Sequence, residues 1–278
     1  MRFENLEDKM LYYRGLSDHR LMVKTPVIVM LDGRSFSKAI KKKFNRPFDE
    51  DFIRMMNETA KYLCENVANC KFAYTQSDEI TLYLSDLDSP NAETFFGYRL
   101  CKLQSIIASM ATGKFNQLLT VYNMRKDSHP NHDPSVVVEN MKLVEFDCRA
   151  WNVPTEYDVM AWLIYRQNDC VRNSKAQSAQ TYLSHKALLN KKVDEQIDIL
   201  KQEKDIDWNN YSDGEKYGRF VYKTQEEFHN VERDVDYIRS VWKVSDAWPL
   251  QEMSGRMKLA ELGFFAHYAI SEGQDENS

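Results

Sequence analysis

The run Val27-Ile28-Val29-Met30-Leu31 is apolar without alternation, the pattern of a strand buried on both faces near the middle of a sheet. It ends at Asp32. Beyond it, Phe52, Met55, Met56, Leu63 and Val67 recur at helical spacing to about residue 67, and Asp49 stands where an N-cap belongs. Residues 72–77 and 80–84 are rich in aromatic and β-branched side chains and read as a hairpin turning on Ser77-Asp78-Glu79. A second helical stripe occupies 93–119, carried by Phe95, Phe96, Leu100, Leu103, Ile107 and Phe115. Residues 123–135 read as a loop and 142–150 as a further strand.

The resulting order is strand, helix, hairpin, helix, strand. This is a split β-α-β-β-α-β arrangement, ferredoxin-like, which packs two helices on one face of an antiparallel sheet and gives an α+β fold resembling a polymerase palm. Helical patterns over 155–180 and 184–201 follow, then strand-like runs at 218–223 and 237–243 on either side of an acidic, polar segment. Residues 1–150 are expected to form the catalytic core and 151–278 a mainly helical extension packed on it, with a disordered tail at 272–278.

Composition changes little in this picture. Hydrophobic residues make up 43% of the 278, and the 9 Gly and 7 Pro argue against linkers or low-complexity segments. No apolar segment approaches the ~18 residues of a membrane span, and the N-terminus has no leader pattern, so a soluble cytoplasmic protein is expected. Five cysteines without a C-x-x-C suggest buried reduced thiols. The net charge of -5 counts against general nucleic-acid affinity, yet the segment 38–46 holds five basic residues and no acid.

The candidate chemistry begins with Asp32 and Asp78. Each is an acid at the exposed end of a buried strand, and the strand order allows the two to lie side by side. Carboxylates so placed bind hard divalent cations, and Mg²⁺ held in that way serves phosphoryl and nucleotidyl transfer, with two ions about 3.5–4 Å apart. Gly33 after Asp32 lets backbone approach a ligand, and the helix start beyond it suits phosphate. His129, His132 and Asp133 have metal-like spacing but sit in a Pro-containing polar loop and read as exposed residues. Tyr12-Tyr13, Phe264-Phe265, Trp242 and Trp248 read as packing residues rather than platforms for RNA bases.

Taken together, Leu31-Asp32-Gly33-Arg34-Ser35-Phe36, Arg46-Pro47-Phe48-Asp49, Gln76-Ser77-Asp78-Glu79, Phe146-Asp147-Cys148-Arg149 and Arg166-Gln167-Asn168-Asp169-Cys170, in that order, resemble the tRNA-His guanylyltransferase family. The likeness is strongest to its Thg1-like branch of 3′-to-5′ RNA polymerases. The resemblance implies two Mg²⁺ ions on Asp32, Asp78 and the Gly33 carbonyl, with Asp32 and Asp78 as the catalytic pair. It implies nucleotide contacts from Gly33, Arg34, Ser35, Phe36, Ser37, Ser77 and Glu79. Arg46 falls where the family has a triphosphate-binding Lys, with Lys43 beside it. ATP and GTP are the implied substrates, tRNA the implied partner and a homotetramer the implied assembly.

One departure narrows the expectation. Where guanylyltransferases proper carry His-Ile-Asn-Asn-Leu-Tyr-Asn, this chain reads Val171-Arg172-Asn173-Ser174-Lys175-Ala176-Gln177, and only Asn173 coincides. Asn173 is therefore retained as a site residue. The missing His points to templated repair of truncated tRNA 5′ ends rather than the addition of a single untemplated G to tRNA-His. A palm-fold nucleotide cyclase and an RNA-binding protein that has lost catalysis are the alternatives from other classes.

Overall fold

In the computed structural model, which describes residues 3–126, 141–230, 233–263 and 265, the apolar run after Pro26 forms the heart of strand β1 (Val27–Arg34). Short helix α1 (Leu6–Gly15) precedes it, and α2 (Phe36–Ala39) and a 3-10 turn at Lys41–Lys43 follow. Then come α3 (Glu50–Asn66), β2 (Cys70–Gln76), β3 (Glu79–Leu84), α4 (Leu100–Lys126) and β4 (Glu145–Asn152). The second half holds α5 (Glu156–Tyr182), α6 (His185–Leu188), α7 (Val193–Lys204), α8 (Asp213–Tyr217), β5 (Arg219–Asn230), β6 (Val235–Asp246) and α9 (Met253–Ala260).

The six strands form one sheet in the order β4-β1-β3-β2-β5-β6, antiparallel throughout. The two-residue period of a strand sends alternate side chains to opposite faces. Val27, Val29, Leu31, Ala73, Ile80 and Leu82 join Met55, Leu63, Leu103 and Phe115 of α3 and α4 in one core. Phe72, Tyr74 and Tyr83 face the other way and pack on Val159, Met160 and Leu163 of α5. Each of the Val, Leu, Ile, Met and Phe side chains among them, fully buried, stabilises the fold by about 1.5–3 kcal/mol. The β-α-β-β-α-β core with two helices on one face is thus present, and α5 covers the opposite face.

Helix α5 starts on a capping box in which Thr155 and Asp158 bond each other's backbone. It runs across β3 through three polar contacts. Tyr83 donates to Glu156 at 2.9 Å, the Trp162 indole to Thr81 at 3.3 Å, and Arg166 grips Glu79. These contacts set the helix in register over the strand.

Several boundaries differ from the sequence pattern for identifiable reasons. The stripe predicted over 93–119 is a 3-10 turn at Phe95–Tyr98 followed by α4, because Phe96, Gly97 and Tyr98 all take left-handed backbone that stops a helix from beginning earlier. Helix α4 runs on through residues 123–126, where Arg125 and Lys126 suit the negative end of its dipole, so that part of the predicted loop is helical. The rest of that loop, with His129, His132 and Asp133, lies outside the described residues, as do Phe264 and the tail. The helix predicted over 184–201 breaks between α6 and α7 at Asn190, whose φ is +60°. The two late strand runs are longer than predicted and pair along their whole length. Because β5 also pairs with β2 from Phe72↔Tyr222 to Thr75↔Arg219, the sheet continues past residue 150. Three of the five cysteines are buried, but Cys101 is exposed and Cys148 half-buried; all five are free thiols.

Candidate active site

Strand pairing brings the two aspartates to one end of the sheet. Asp32 lies opposite Glu79 on β3 and opposite Asp147 on β4. Gln76 pairs with Glu79, so Ser77 and Asp78 form a two-residue turn beside Asp32. The Gly33 N–H donates to the Asp78 carbonyl at 3.0 Å, and the Ser77 hydroxyl bonds the Asp78 carboxylate at 2.9 Å. Asp32 is half-buried. Burial, and then the negative charges of Asp78 and Asp147, push its carboxyl above the usual range, against the opposing pull of Arg149 and Arg166.

That crowding is what a bound cation would relieve. Among the described residues no group of three or more His, Cys, Asp or Glu is arranged to hold a metal. The donors on hand are two carboxylates and backbone carbonyls, all hard oxygens. Such a set fits Mg²⁺, which takes one or two protein carboxylates and fills its octahedron with water and substrate phosphate.

Glu79 stands apart from the other predicted nucleotide contacts. It is 5% exposed, and both its oxygens are held by Arg166, from Nε at 2.8 Å and from a terminal guanidinium nitrogen. Arg166 also donates to Asp169 at 2.8 Å, and its guanidinium lies 5.2 Å from the Tyr165 ring centroid. Burial works against the charge on Arg166, but Glu79 and Asp169 outweigh it and hold the guanidinium more firmly protonated than a free one. Burial likewise raises the Glu79 carboxyl, with Arg166 opposing.

The segment after Asp32 is shaped by packing. A Cβ on Gly33 would lie 2.6 Å from the Phe36 ring. That ring is fully buried against Phe52, Phe115 and Phe146, so Phe36 offers the site only its backbone. Arg34 is exposed and pairs with Glu145 at 2.6 Å. Ser35 and Ser77 both hold left-handed backbone, at φ 57° and 49°. Side chains pay for that conformation, and it recurs at ligand clamps. Ser37 falls within α2. Lys43 is exposed and donates to Asn123 at 3.2 Å.

Next to the turn, a cavity of about 100 Å³ opens between the Phe44–Phe52 segment, α5 and the start of β5. Arg46, Phe48, Phe52, Ser77, Asn173 and Arg219 line it. The structure therefore gathers Arg46, Ser77 and Asn173, which are far apart in sequence, around one cavity. Arg219 is a residue that sequence reasoning missed. Burial weakens its hold on charge, and Asp246 lies 3.9 Å away. Asn57 Oδ1, buried on the same wall, has no hydrogen-bond partner. No sequence signal marks either residue. Asp147 and Arg166 could have been found, because both stand in the motifs that carried the resemblance.

An antiparallel palm with paired acids at adjoining strand ends, flanked by a ring-lined cavity and cations, is the arrangement of a nucleotidyltransferase. The family model described as tRNAHis guanylyltransferase (Thg1) matches residues 8–154, and the chain belongs to that family of nucleotidyltransferases. An uncharacterized protein of Acanthamoeba polyphaga mimivirus is 28% identical over 262 residues, 87% of this chain and 84% of its own. The tRNA(His) guanylyltransferase of Neurospora crassa is 29% identical over 155 residues, 55% of this chain and 48% of its own, so that match spans about half the length of the fungal enzyme. A bacterial tRNA(His) guanylyltransferase (Thg1)-like protein in complex with ATP superposes with a TM-score of 0.74 and 31% identity, covering 94% of this chain and 99% of its own. A complex described in the same words with GTP gives 0.70 and 29%, covering 94% and 98%. The Saccharomyces cerevisiae enzyme, at 23% identity and a TM-score of 0.60, shares the fold over 82% of this chain and 94% of its own.

Proposed function

We propose that the protein adds nucleotides, in the 3′-to-5′ direction and under template control, to the 5′ end of truncated tRNA after ATP or GTP has activated the 5′ phosphate. The observation that carries this reading is the meeting of Asp32 and Asp78 at one strand end beside the cavity that holds Arg46, Ser77 and Asn173. Family membership supports nucleotidyl transfer and argues against a cyclase. The ATP and GTP complexes of the bacterial Thg1-like protein support nucleotide binding by this fold. Val171, where guanylyltransferases proper have His, supports templated repair over single-G addition.

In the activating step the tRNA 5′ phosphate attacks the α-phosphorus of the nucleotide and pyrophosphate leaves. The 3′-hydroxyl of the incoming nucleotide then attacks the activated 5′ phosphorus, and the mononucleotide of the activator departs. Bound Mg²⁺ would supply charge neutralisation to attacking and leaving oxygens, and Asp32, Asp78 and the Gly33 carbonyl would hold it. Arg46 orients the triphosphate through charge-assisted hydrogen bonds, and Phe48 and Phe52 present apolar surface to the base; Lys43, which donates to Asn123, lies outside the cavity lining. Asn173 bonds the edge of that base or its sugar. The left-handed turn at Ser77 presents its backbone N–H to phosphate, while its hydroxyl donates to Asp78.

No described helix is long and apolar enough to cross a membrane. A cytoplasmic setting and a homotetrameric assembly belong to this reading through the resemblance. The test offers 5′-truncated and full-length tRNAs with labelled nucleotides and Mg²⁺. Extension dictated by the opposing 3′ strand is the expected result. A lone untemplated G on tRNA-His would replace the reading with tRNA-His guanylyltransferase activity, and pyrophosphate release without RNA would replace it with cyclisation.

A further inference from the structure

We infer that Arg166 is a positioning residue for the two aspartates, acting through Glu79. The inference rests on reading Asp32 and Asp78 as a shared divalent-cation site.

Glu79 occupies a singular place in the sheet. It follows Asp78 directly in the chain, and it stands opposite Asp32 in the β1–β3 ladder. Its carbonyl accepts the Thr75 hydroxyl at 2.9 Å, and its side chain, on the α5 face, is 5% exposed. Whatever fixes Glu79 therefore fixes the backbone on which one aspartate sits and the strand spacing to the other. Arg166 does so with two donors in parallel, Nε to Oε1 at 2.8 Å and a second nitrogen to Oε2. Such a two-pronged guanidinium–carboxylate pair defines orientation as well as distance.

The guanidinium is fixed in turn. Asp169, one turn along α5, accepts from it at 2.8 Å and is itself held by Arg172 at 2.5 Å. Trp162 and Tyr165 pack on its plane at 5.8 and 5.2 Å. Trp162 also reaches Thr81, the next inward residue of β3, at 3.3 Å. The strut thus runs from α5 to the hairpin end through Arg166 and Glu79, with Trp162 beside it. Loss of outer groups of this kind, which orient ligands without touching the ion, typically weakens metal binding about 10- to 100-fold.

Electrostatics and positioning predict opposite signs, which makes the idea testable. Removing a positive charge near a cation site favours the cation by Coulomb's law alone. Loss of a positioning strut weakens it. The experiment measures Mn²⁺ binding to the full chain by electron paramagnetic resonance, with melting temperature recorded for each variant. Asp32→Asn and Asp78→Asn come first; Mn²⁺ affinity unchanged in both would remove the site reading itself, and the inference with it. Given their loss of binding, Arg166→Gln is expected to weaken Mn²⁺ about 10- to 100-fold. Affinity equal to or tighter than that of the parent overturns the role of Arg166 and leaves the site reading standing. If Arg166→Gln does not fold, Arg166→Lys carries the test. Lysine keeps the charge but cannot grip both oxygens, so weakened Mn²⁺ binding supports positioning and parental affinity overturns it.

Discussion

Gly33 and Phe36 share a space that admits only one of their side chains. A Cβ on Gly33 would lie 2.6, 2.7 and 2.8 Å from three atoms of the Phe36 ring, and that ring is wedged among Phe52, Phe115 and Phe146 with no room to retreat. The glycine is required by the core as much as by any ligand. Gly33→Ala is therefore expected to destabilise the protein by about 1–3 kcal/mol, the cost of overpacking a filled core. Denaturant unfolding measures it. A variant as stable as the parent would mean that the Phe36 ring has somewhere else to go.

Asp49 ties two segments with one carboxylate. Oδ1 caps α3 by accepting the Phe52 N–H at 3.0 Å, and Oδ2 accepts the Asn45 N–H at 2.9 Å, closing the loop that carries Arg46. Asp49→Ala should cost about 1–2 kcal/mol in stability. It should also raise KM for the activating nucleotide, because Arg46 lines the cavity from that loop. Loss of stability with an unchanged KM would separate Arg46 from nucleotide binding.

These local devices were legible in the chain. Asp49 as a cap, the buried strand through Val27–Leu31 and the tight hairpin depend on spacing within a few residues and are found, although β1 runs past Asp32 to Arg34, and Glu79, read as part of the turn, is the first residue of β3. The partners from afar were not legible. Arg166 reaches Glu79 across 87 positions, and Arg219 comes to the cavity that Ser77 lines only because β5 adds to the sheet beside β2, opposite Thr75. Periodicity tells which face of a helix is apolar but not which strand it will cross. The polar outer part of the β5–β6 hairpin escaped for the converse reason. From Gln225 to Phe228 it is exposed, so no buried face imposes alternation there, and the pairing is carried by cross-strand neighbours such as Glu226 and Arg239.

Acid should loosen the segment between α1 and β1. Asp18 accepts from Arg99 at 2.6 Å at the head of α4, and this hydrogen bond is the main cause that holds its carboxyl below the ordinary value of 3.8. A depressed acid stabilises the fold above that ordinary value, and the contribution is lost as pH falls below it toward the depressed one. Asp18→Asn lacks that contribution at neutral pH, by the small amount expected of an exposed ion pair, and should converge on the parent as pH falls below about 4, so that its acid limb is slightly flatter. Identical acid limbs in the two proteins would show that this pair plays no part in acid unfolding.

Asp32 is expected to show the opposite sign, and with it a conflict between stability and use. Burial and the charges of Asp78 and Asp147 raise its carboxyl above 3.8, so the folded chain holds that proton more tightly than the unfolded one. Its favourable contribution is complete below the ordinary value and is lost as pH rises through the raised one. At neutral pH, in metal-free buffer, ionised Asp32 thus works against the fold. Asp32→Asn keeps the shape and removes the charge, so it should melt at or above the parent's temperature while nucleotide incorporation disappears. Adding Mg²⁺ should raise the melting temperature of the parent, because a ligand bound only by the folded state stabilises it, and should do so far less for the variant. Thermal scans with and without Mg²⁺, run beside a tRNA extension assay, test both halves. A variant that melts well below the parent would show that Asp32 supports the fold, and one that still extends tRNA would remove it from the chemistry.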